Sequence, residues 1–186
     1  MEANSQQHKD LLYSTIEDAY GKVVYTYTTQ IIHAARLKQR NSALKWLQII
    51  LSAISTGGFL GSIITNQTVL VWLGGLCSTA LLVLTAYFKD SEFSNTYARH
   101  QVTSNSLWAV REEYLALLTD FCSLTIEEIT KKRDDLRKKT SKIYENAPLT
   151  DEKSYTLAQK KIKKEESQFF SREELNQILP EKLRKQ

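Results

Sequence analysis

Residues 46–88 run for 43 positions without an Asp, Glu, Lys, Arg or His, and Lys45 and Lys89 bound them. One bilayer crossing takes roughly 20 apolar residues. The run is therefore too long for one span and right for two. Thr65-Asn66-Gln67-Thr68 is its only stretch of four consecutive polar residues. The pattern predicts two transmembrane helices, 44–64 and 69–88, joined by a short turn at 65–68. A hairpin of this kind returns both chain ends to one side of the membrane. A charge-free hairpin buried in a soluble protein would need apolar cover on every face. The remaining chain is too polar to supply it.

Upstream, Leu12, Ile16, Tyr20, Val23, Tyr27, Ile31 and Ala34 recur at three- and four-residue steps, one stripe of a helix over about 9–40. Residues 1–8 are expected to be unstructured, and Gly21 marks a place for an irregularity. Downstream, Phe93, Tyr97, His100, Ser104, Leu107, Arg111, Tyr114, Leu118 and Phe121 alternate four and three apart along a helix over 89–121. That heptad-like seam predicts packing on the first helix and on neighbouring subunits. Thr125 with Glu128 forms a capping box that opens the next helix, which Pro148 ends. A further helix is expected over 151–168, capped by Thr150, and a last short one from Ser171 to Pro180. The fold class is an all-α membrane protein. A two-helix transmembrane hairpin (44–88) carries a cytosolic helical bundle formed by an N-terminal helix (1–43) and C-terminal helices (89–186).

Charge adds orientation. Arg36, Lys38, Arg40 and Lys45 precede the apolar run, whereas the turn at 65–68 carries no charge. The positive-inside rule then places both termini in the cytosol. Trp46, Tyr87 and Phe88 at one interface and Trp72 near the other make an aromatic belt. No cleavable signal peptide is visible in the first 30 residues, so the first span is expected to act as a signal-anchor. The Asn66-Gln67-Thr68 glycosylation pattern falls in a turn too short for modification.

The net charge of +4 lies entirely in the C-terminal third, because the basic and acidic residues of 1–122 cancel. The basic positions Lys131, Lys132, Arg133, Arg137, Lys138, Lys160, Lys161, Lys163 and Lys164 are candidate contacts for an anionic ligand. The simpler reading is a solvated helical surface.

Polar positions inside the spans carry a second signal. At about 100° per residue, Gln48, Ser52, Ser55, Phe59, Ser62 and Asn66 fall within roughly 40° of one direction. Nearly opposite, Ala53, Gly57 and Gly61 form a small-residue stripe for close helix packing. Gly74 and Ser78, with Thr85, share a face of the second span that supplies a mating surface. Two helices cannot enclose a channel, so a pore requires several copies. The expectation is a homo-oligomer, a tetramer or larger, whose path is lined by Gln48, Ser52, Ser55, Phe59, Ser62 and Asn66, with Phe59 as a dewetted constriction. The alternative is a non-conducting anchor for an interaction bundle, with the serines bonded to their own backbone.

Catalytic signatures are missing. Walker, G-x-S-x-G and H-E-x-x-H patterns do not occur, and the adjacent acidic pairs read as solvated faces. Cys77 and Cys122 form no C-x-x-C pair, and His8, His33 and His100 lack metal-ligand spacing. No enzyme, metal or cofactor is expected.

The chain resembles the SLATT family of prokaryotes, the SMODS- and SLOG-associating two-transmembrane effectors. The resemblance rests on His33-Ala34-Ala35 before the first span and on Leu51-Ser52-Ala53-Ile54-Ser55-Thr56-Gly57 within it. It continues through Trp108 and Tyr114, residues 124–129, Arg133 with Leu136, Ala147-Pro148 with Thr150-Asp151, and Leu179-Pro180. It implies a bacterial inner-membrane effector of anti-phage defence that opens depolarising pores. It also implies a partner nucleotidyltransferase or sensor that supplies a nucleotide or oligonucleotide signal.

Overall fold

A computed structural model describes residues 2–65, 67–90, 93–164, 171–178 and 180. Every regular element among them is helical: α1 (Glu2–Thr65), α2 (Thr68–Asp90), α3 (Phe93–Thr119), a single 3-10 turn (Phe121–Ser123), α4 (Ile126–Asn146), α5 (Glu152–Lys164) and α6 (Arg172–Ile178). The chain divides into two compact units, Met1–His33 with His100–Gln186, and Ala34–Arg99.

Two sequence expectations change at α1. Residues 2–8 are helical, and no break separates the amphipathic segment from the first apolar one. Residues 41–45, Asn-Ser-Ala-Leu-Lys, contain neither Gly nor Pro, so nothing local stops the helix there. Gly21 lies inside the same unbroken helix.

In the first unit the predicted stripes become the core. Leu12, Ile16 and Val23 of α1 pack with Leu107, Val110, Tyr114 and Leu117 of α3, with Phe121, and with Ile129 and Leu136 of α4. Ile16, Leu107 and Ile129 are completely buried. Fully burying such side chains contributes about 1.5–3 kcal/mol each. Burial pushes the Tyr114 phenol above its ordinary value, and a side-chain hydrogen bond with Thr140 opposes the shift.

The helix starts follow their caps. Thr125 Oγ1 accepts the Glu128 N–H at 3.3 Å, and Glu128 Oε2 accepts the Thr125 N–H at 2.9 Å, the predicted capping box. The start of α5 differs from expectation. Asp151, rather than Thr150, provides the cap, its Oδ1 accepting the Ser154 N–H at 2.8 Å. Either residue suits a cap chemically, and the chain turns one residue later. At α6, Ser171 and Glu174 exchange reciprocal bonds of 2.7 and 3.2 Å. Residues 165–168 of the expected long helix, and Leu179, lie outside the described residues.

The second unit is a helical hairpin. Thr68–Phe88 is long and apolar enough to cross a membrane, as is the C-terminal part of α1, and only 6 % of each apolar window is buried. A core helix of a soluble protein would be covered instead.

Candidate functional site

The two hairpin helices mate along seams with a 3.5-residue repeat. On α1 the less exposed positions from Leu44 onward are Leu44, Gln48, Leu51, Ser55, Gly58 and Ser62, with Gly61 beside the last; on α2 they are Leu70, Gly74, Cys77, Leu81, Leu84 and Phe88. Apart from Gly61, both sets alternate four and three, the spacing on which coiled-coil-type packing is built. Gly58 and Gly74 permit the closest approach. A Cβ on Gly58 would sit 3.2 Å from the Leu70 carbonyl oxygen, and one on Gly74 3.2 Å from that of Ser55. Polar bonds join the helices as well. Ser55 Oγ donates to the Gly74 carbonyl at 3.2 Å and pairs with the Ser78 hydroxyl. Gln48 Nε2 donates to Thr85 Oγ1 at 3.2 Å.

This geometry divides the stripe expected to line a path. Gln48 and Ser55 touch α2, and Ser62 is buried with its hydroxyl on the Phe59 carbonyl at 2.7 Å. Ser52 and Phe59 are exposed, Phe59 by 61 %. Asn66 lies outside the described residues. Of the expected packing positions, Gly74 and Ser78 meet α1, and a Cβ on Gly61 would touch the Leu70 side chain at 3.4 Å. Ala53 is exposed, and Gly57 faces open space. Gly58, which the small-residue pattern passed over, takes the place of Gly57 in the hairpin contact.

The flanks of the seam differ in chemistry. One groove, of about 730 Å³, is lined by Gln48, Ile49, Ser52, Ala53, Thr56, Gly57, Leu60, Leu81 and Thr85. The other, of about 600 Å³, is lined by Leu44, Leu76, Thr79, Ala80, Val83, Leu84 and Tyr87. The first gathers an amide and three hydroxyls. The second is almost wholly aliphatic, and Thr79 turns its hydroxyl to the Gly75 carbonyl at 3.0 Å.

The basic candidates sit on α4 and α5. Lys131, Lys132, Arg137, Lys138, Lys160, Lys161, Lys163 and Lys164 are exposed, and Arg133 is half-buried. Arg133 bonds Asp134 at 2.9 and 3.1 Å, and Lys139 bonds Glu113 at 2.6 Å. A groove of about 550 Å³ between α3 and α4 is lined by Lys132, Lys138 and Lys139 and equally by Glu113, Asp120 and Asp135, over a floor of Ala116, Leu117 and Leu136. Its acidic half offsets its basic half.

A second polar centre, in the first unit, was visible in the sequence only as scattered fragments. His33 of α1 stacks on His100 of α3, with ring centroids 4.3 Å apart. Gln30 Nε2 donates to the Pro148 carbonyl at 3.1 Å. That fixes the amide, so Gln30 Oε1 accepts from His100 Nδ1. His33 Nδ1 lies 3.4 Å from the Asp151 N–H, 3.3 Å from Asp151 Oδ1 and 3.3 Å from Ser154 Oγ. Gln30, His100 and Ser154 are nearly fully buried. The cluster fastens the connection between α4 and α5 onto α1 by polar bonds, and His100 of α3 bonds the Gln30 amide that makes one of them. Residue pairs about 118 apart in the chain meet here.

A two-helix hairpin fit for a bilayer, joined to a polar helical bundle, defines a two-span all-helical membrane protein. A family model described as SMODS and SLOG-associating 2TM effector domain family 4 matches residues 12–174, and the chain belongs to that family. No curated protein and no solved structure matches it.

Proposed function

We propose that the chain is one subunit of an oligomeric, ion-conducting pore in the bacterial inner membrane, with both termini cytosolic. The pore is gated by a nucleotide-type signal from a partner nucleotidyltransferase and acts in anti-phage defence by depolarising the cell. The observation that carries this reading is an amide and three hydroxyls set among aliphatic residues on one flank of a hairpin, where the other flank holds only Thr79 and Tyr87 as polar side chains. An amide moved from water into hydrocarbon without partners costs roughly 4–8 kcal/mol. Gln48 spends one N–H on Thr85. An amide has two donors and an acceptor oxygen, so the rest of its capacity calls for water or another subunit.

The nearly neutral groove between α3 and α4 suits a ligand with both anionic and apolar parts better than a bare anion. A nucleotide has both. Labelled nucleotide binding to the full chain, with the groove's Lys132, Lys138 and Lys139 exchanged for Gln, tests that groove; retained affinity removes it.

A second reading has its own support. Thr56 and Thr85 bond the carbonyls of Ser52 and Leu81 at 3.0 and 2.8 Å, which lets hydroxyls sit in lipid. In that reading the hairpin anchors a non-conducting scaffold. Ion flux from liposomes holding purified protein, with and without added nucleotide, separates the two. Flux under some ligand condition supports the pore, and its absence throughout supports the scaffold. In single-channel recording, Phe59→Ala is expected to raise conductance or open probability; unchanged values remove Phe59 as the constriction.

A further inference from the structure

We propose that both helices build the water-facing wall: Gln48, Ser52 and Thr56 of α1 together with Ser78 and Thr85 of α2, against a water column enclosed by the same groove of further copies. The inference rests on the pore reading and goes beyond it, because the polar stripe of the sequence assigned the wall to the first span alone.

Three observations carry it. Gln48, Ser52, Thr56 and Thr85 line a single groove, so the polar surface crosses from one helix to the other. The Ser55 and Ser78 hydroxyls meet across the seam, and Ser78, although outside the groove's lining, is exposed. The seam keeps this flank apart from the aliphatic one. Measured from Leu70, Ser78 and Thr85 lie about 60–80° to one side of the α2 seam, whereas Ala80, Val83 and Tyr87 lie about 80–140° to the other. The asymmetry also says what covers each flank. Acyl chains satisfy Leu76, Ala80, Val83 and Leu84 but offer nothing to the remaining N–H and the oxygen of the Gln48 amide, whereas the Thr56 and Thr85 hydroxyls already donate to backbone carbonyls and offer water only their acceptor side. A pore wall of neutral hydroxyls passes hydrated ions with weak selectivity.

Thr79 and Val83 provide the internal control. Both lie on the aliphatic flank, and Thr79 is chemically identical to Thr56 and Thr85. Single cysteines at Ser52, Thr56, Thr85, Thr79 and Val83 are introduced into a Cys77→Ser, Cys122→Ser chain. Each is reconstituted whole into vesicles of phosphatidylethanolamine and phosphatidylglycerol. The probe is the membrane-impermeant cation methanethiosulfonate-ethyltrimethylammonium. Cysteines at 52, 56 and 85 are expected to react at least tenfold faster than those at 79 and 83. Equal rates on both flanks, or α1 cysteines reacting while the one at 85 behaves like the one at 83, overturn the two-helix wall. Ser52 and Thr56 test the α1 side independently, should one variant fail to insert. Flux from the same vesicles is read separately. Flux without the labelling asymmetry removes the wall and leaves the pore; asymmetry without flux removes the pore and leaves a wet groove.

Discussion

Replacing Gly74 by Ala adds one methyl group at the closest point of the hairpin. Its carbon would lie 3.2 Å from the Ser55 carbonyl oxygen and 3.5 Å from the Phe59 nitrogen. Both are helix backbone atoms and cannot rotate away as a side-chain tip would. The helices must part by a few tenths of an ångström. Overpacking of this kind costs about 1–3 kcal/mol. Alanine returns about 1 kcal/mol through its greater helix propensity. The expected net effect is a loss of up to about 2 kcal/mol. Gly57→Ala and Gly75→Ala meet nothing within 4 Å, so they keep the propensity gain alone. Gly58→Ala makes the reciprocal contact, 3.2 Å from the Leu70 oxygen and 3.5 Å from the Gly74 Cα. Once either methyl has separated the helices, the second costs little, so the double variant should lose less than the sum, with coupling above about 0.5 kcal/mol. The assay is an SDS titration of the full chain in mild-detergent micelles, followed by energy transfer between dyes on the two helices. Gly57→Ala proving as damaging as Gly74→Ala, or additive losses at 58 and 74, would refute the seam.

Gln30→Met removes the group that bonds both the buried His100 and the half-buried Pro148 carbonyl. It should cost about 1–3 kcal/mol and speed amide exchange at residues 150–155 more than elsewhere, and uniform exchange across the bundle would count against a local fastening. Thr125→Ala should cost about 1 kcal/mol of thermal stability through the lost cap. The Thr125 backbone N–H and then its hydroxyl hold the Glu128 carboxyl below its ordinary value. A lowered folded value means that the stabilisation is complete above the ordinary carboxylate range and disappears as pH falls through the folded value. The melting-temperature gap between wild type and Thr125→Ala should therefore narrow between pH 6 and pH 3; a gap that widens would contradict the sign. Exchanging Glu113 for Gln breaks an exposed ion pair with Lys139 and should change stability by less than about 1 kcal/mol in a thermal melt.

What the sequence made legible was set locally. The spans follow from absent charge, the core from helical periodicity, and the Thr125 cap from four adjacent residues. Each needs only neighbours in the chain. What stayed hidden needed a partner. His33-Ala34-Ala35 and Ala147-Pro148 with Thr150-Asp151 were recognisable as separate fragments, but that His33 touches Asp151 while Gln30 holds Pro148 depends on how α5 returns to α1. The continuity of α1 was obscured for a different reason. A polarity change at residues 41–45 resembles a boundary, but a helix ends when its backbone bonds end, and no residue there interrupts them.

The polar stripe shows what helical angle alone leaves open. Gln48, Ser52, Ser55, Phe59 and Ser62 do share one side of α1, but an angular cluster does not say where the neighbouring helix lies. The seam of α2 meets α1 along Leu44, Gln48, Leu51, Ser55, Gly58 and Ser62, so it bisects the stripe. A 3.5-residue seam on a helix of 3.6 residues per turn also drifts by about 20° per heptad relative to a straight line. Small residues therefore mate wherever the seam places them, and Gly58 is used where Gly57 stood out by its spacing. Ser55 pairs with Ser78 and Ser62 is buried on the Phe59 carbonyl, while Ser52 and Phe59 remain exposed. Ser78 and Thr85 of α2, first assigned to packing, then stand beside the open polar positions. A hairpin can thus present a polar flank that neither of its helices shows alone, because the flank is defined by the groove between them.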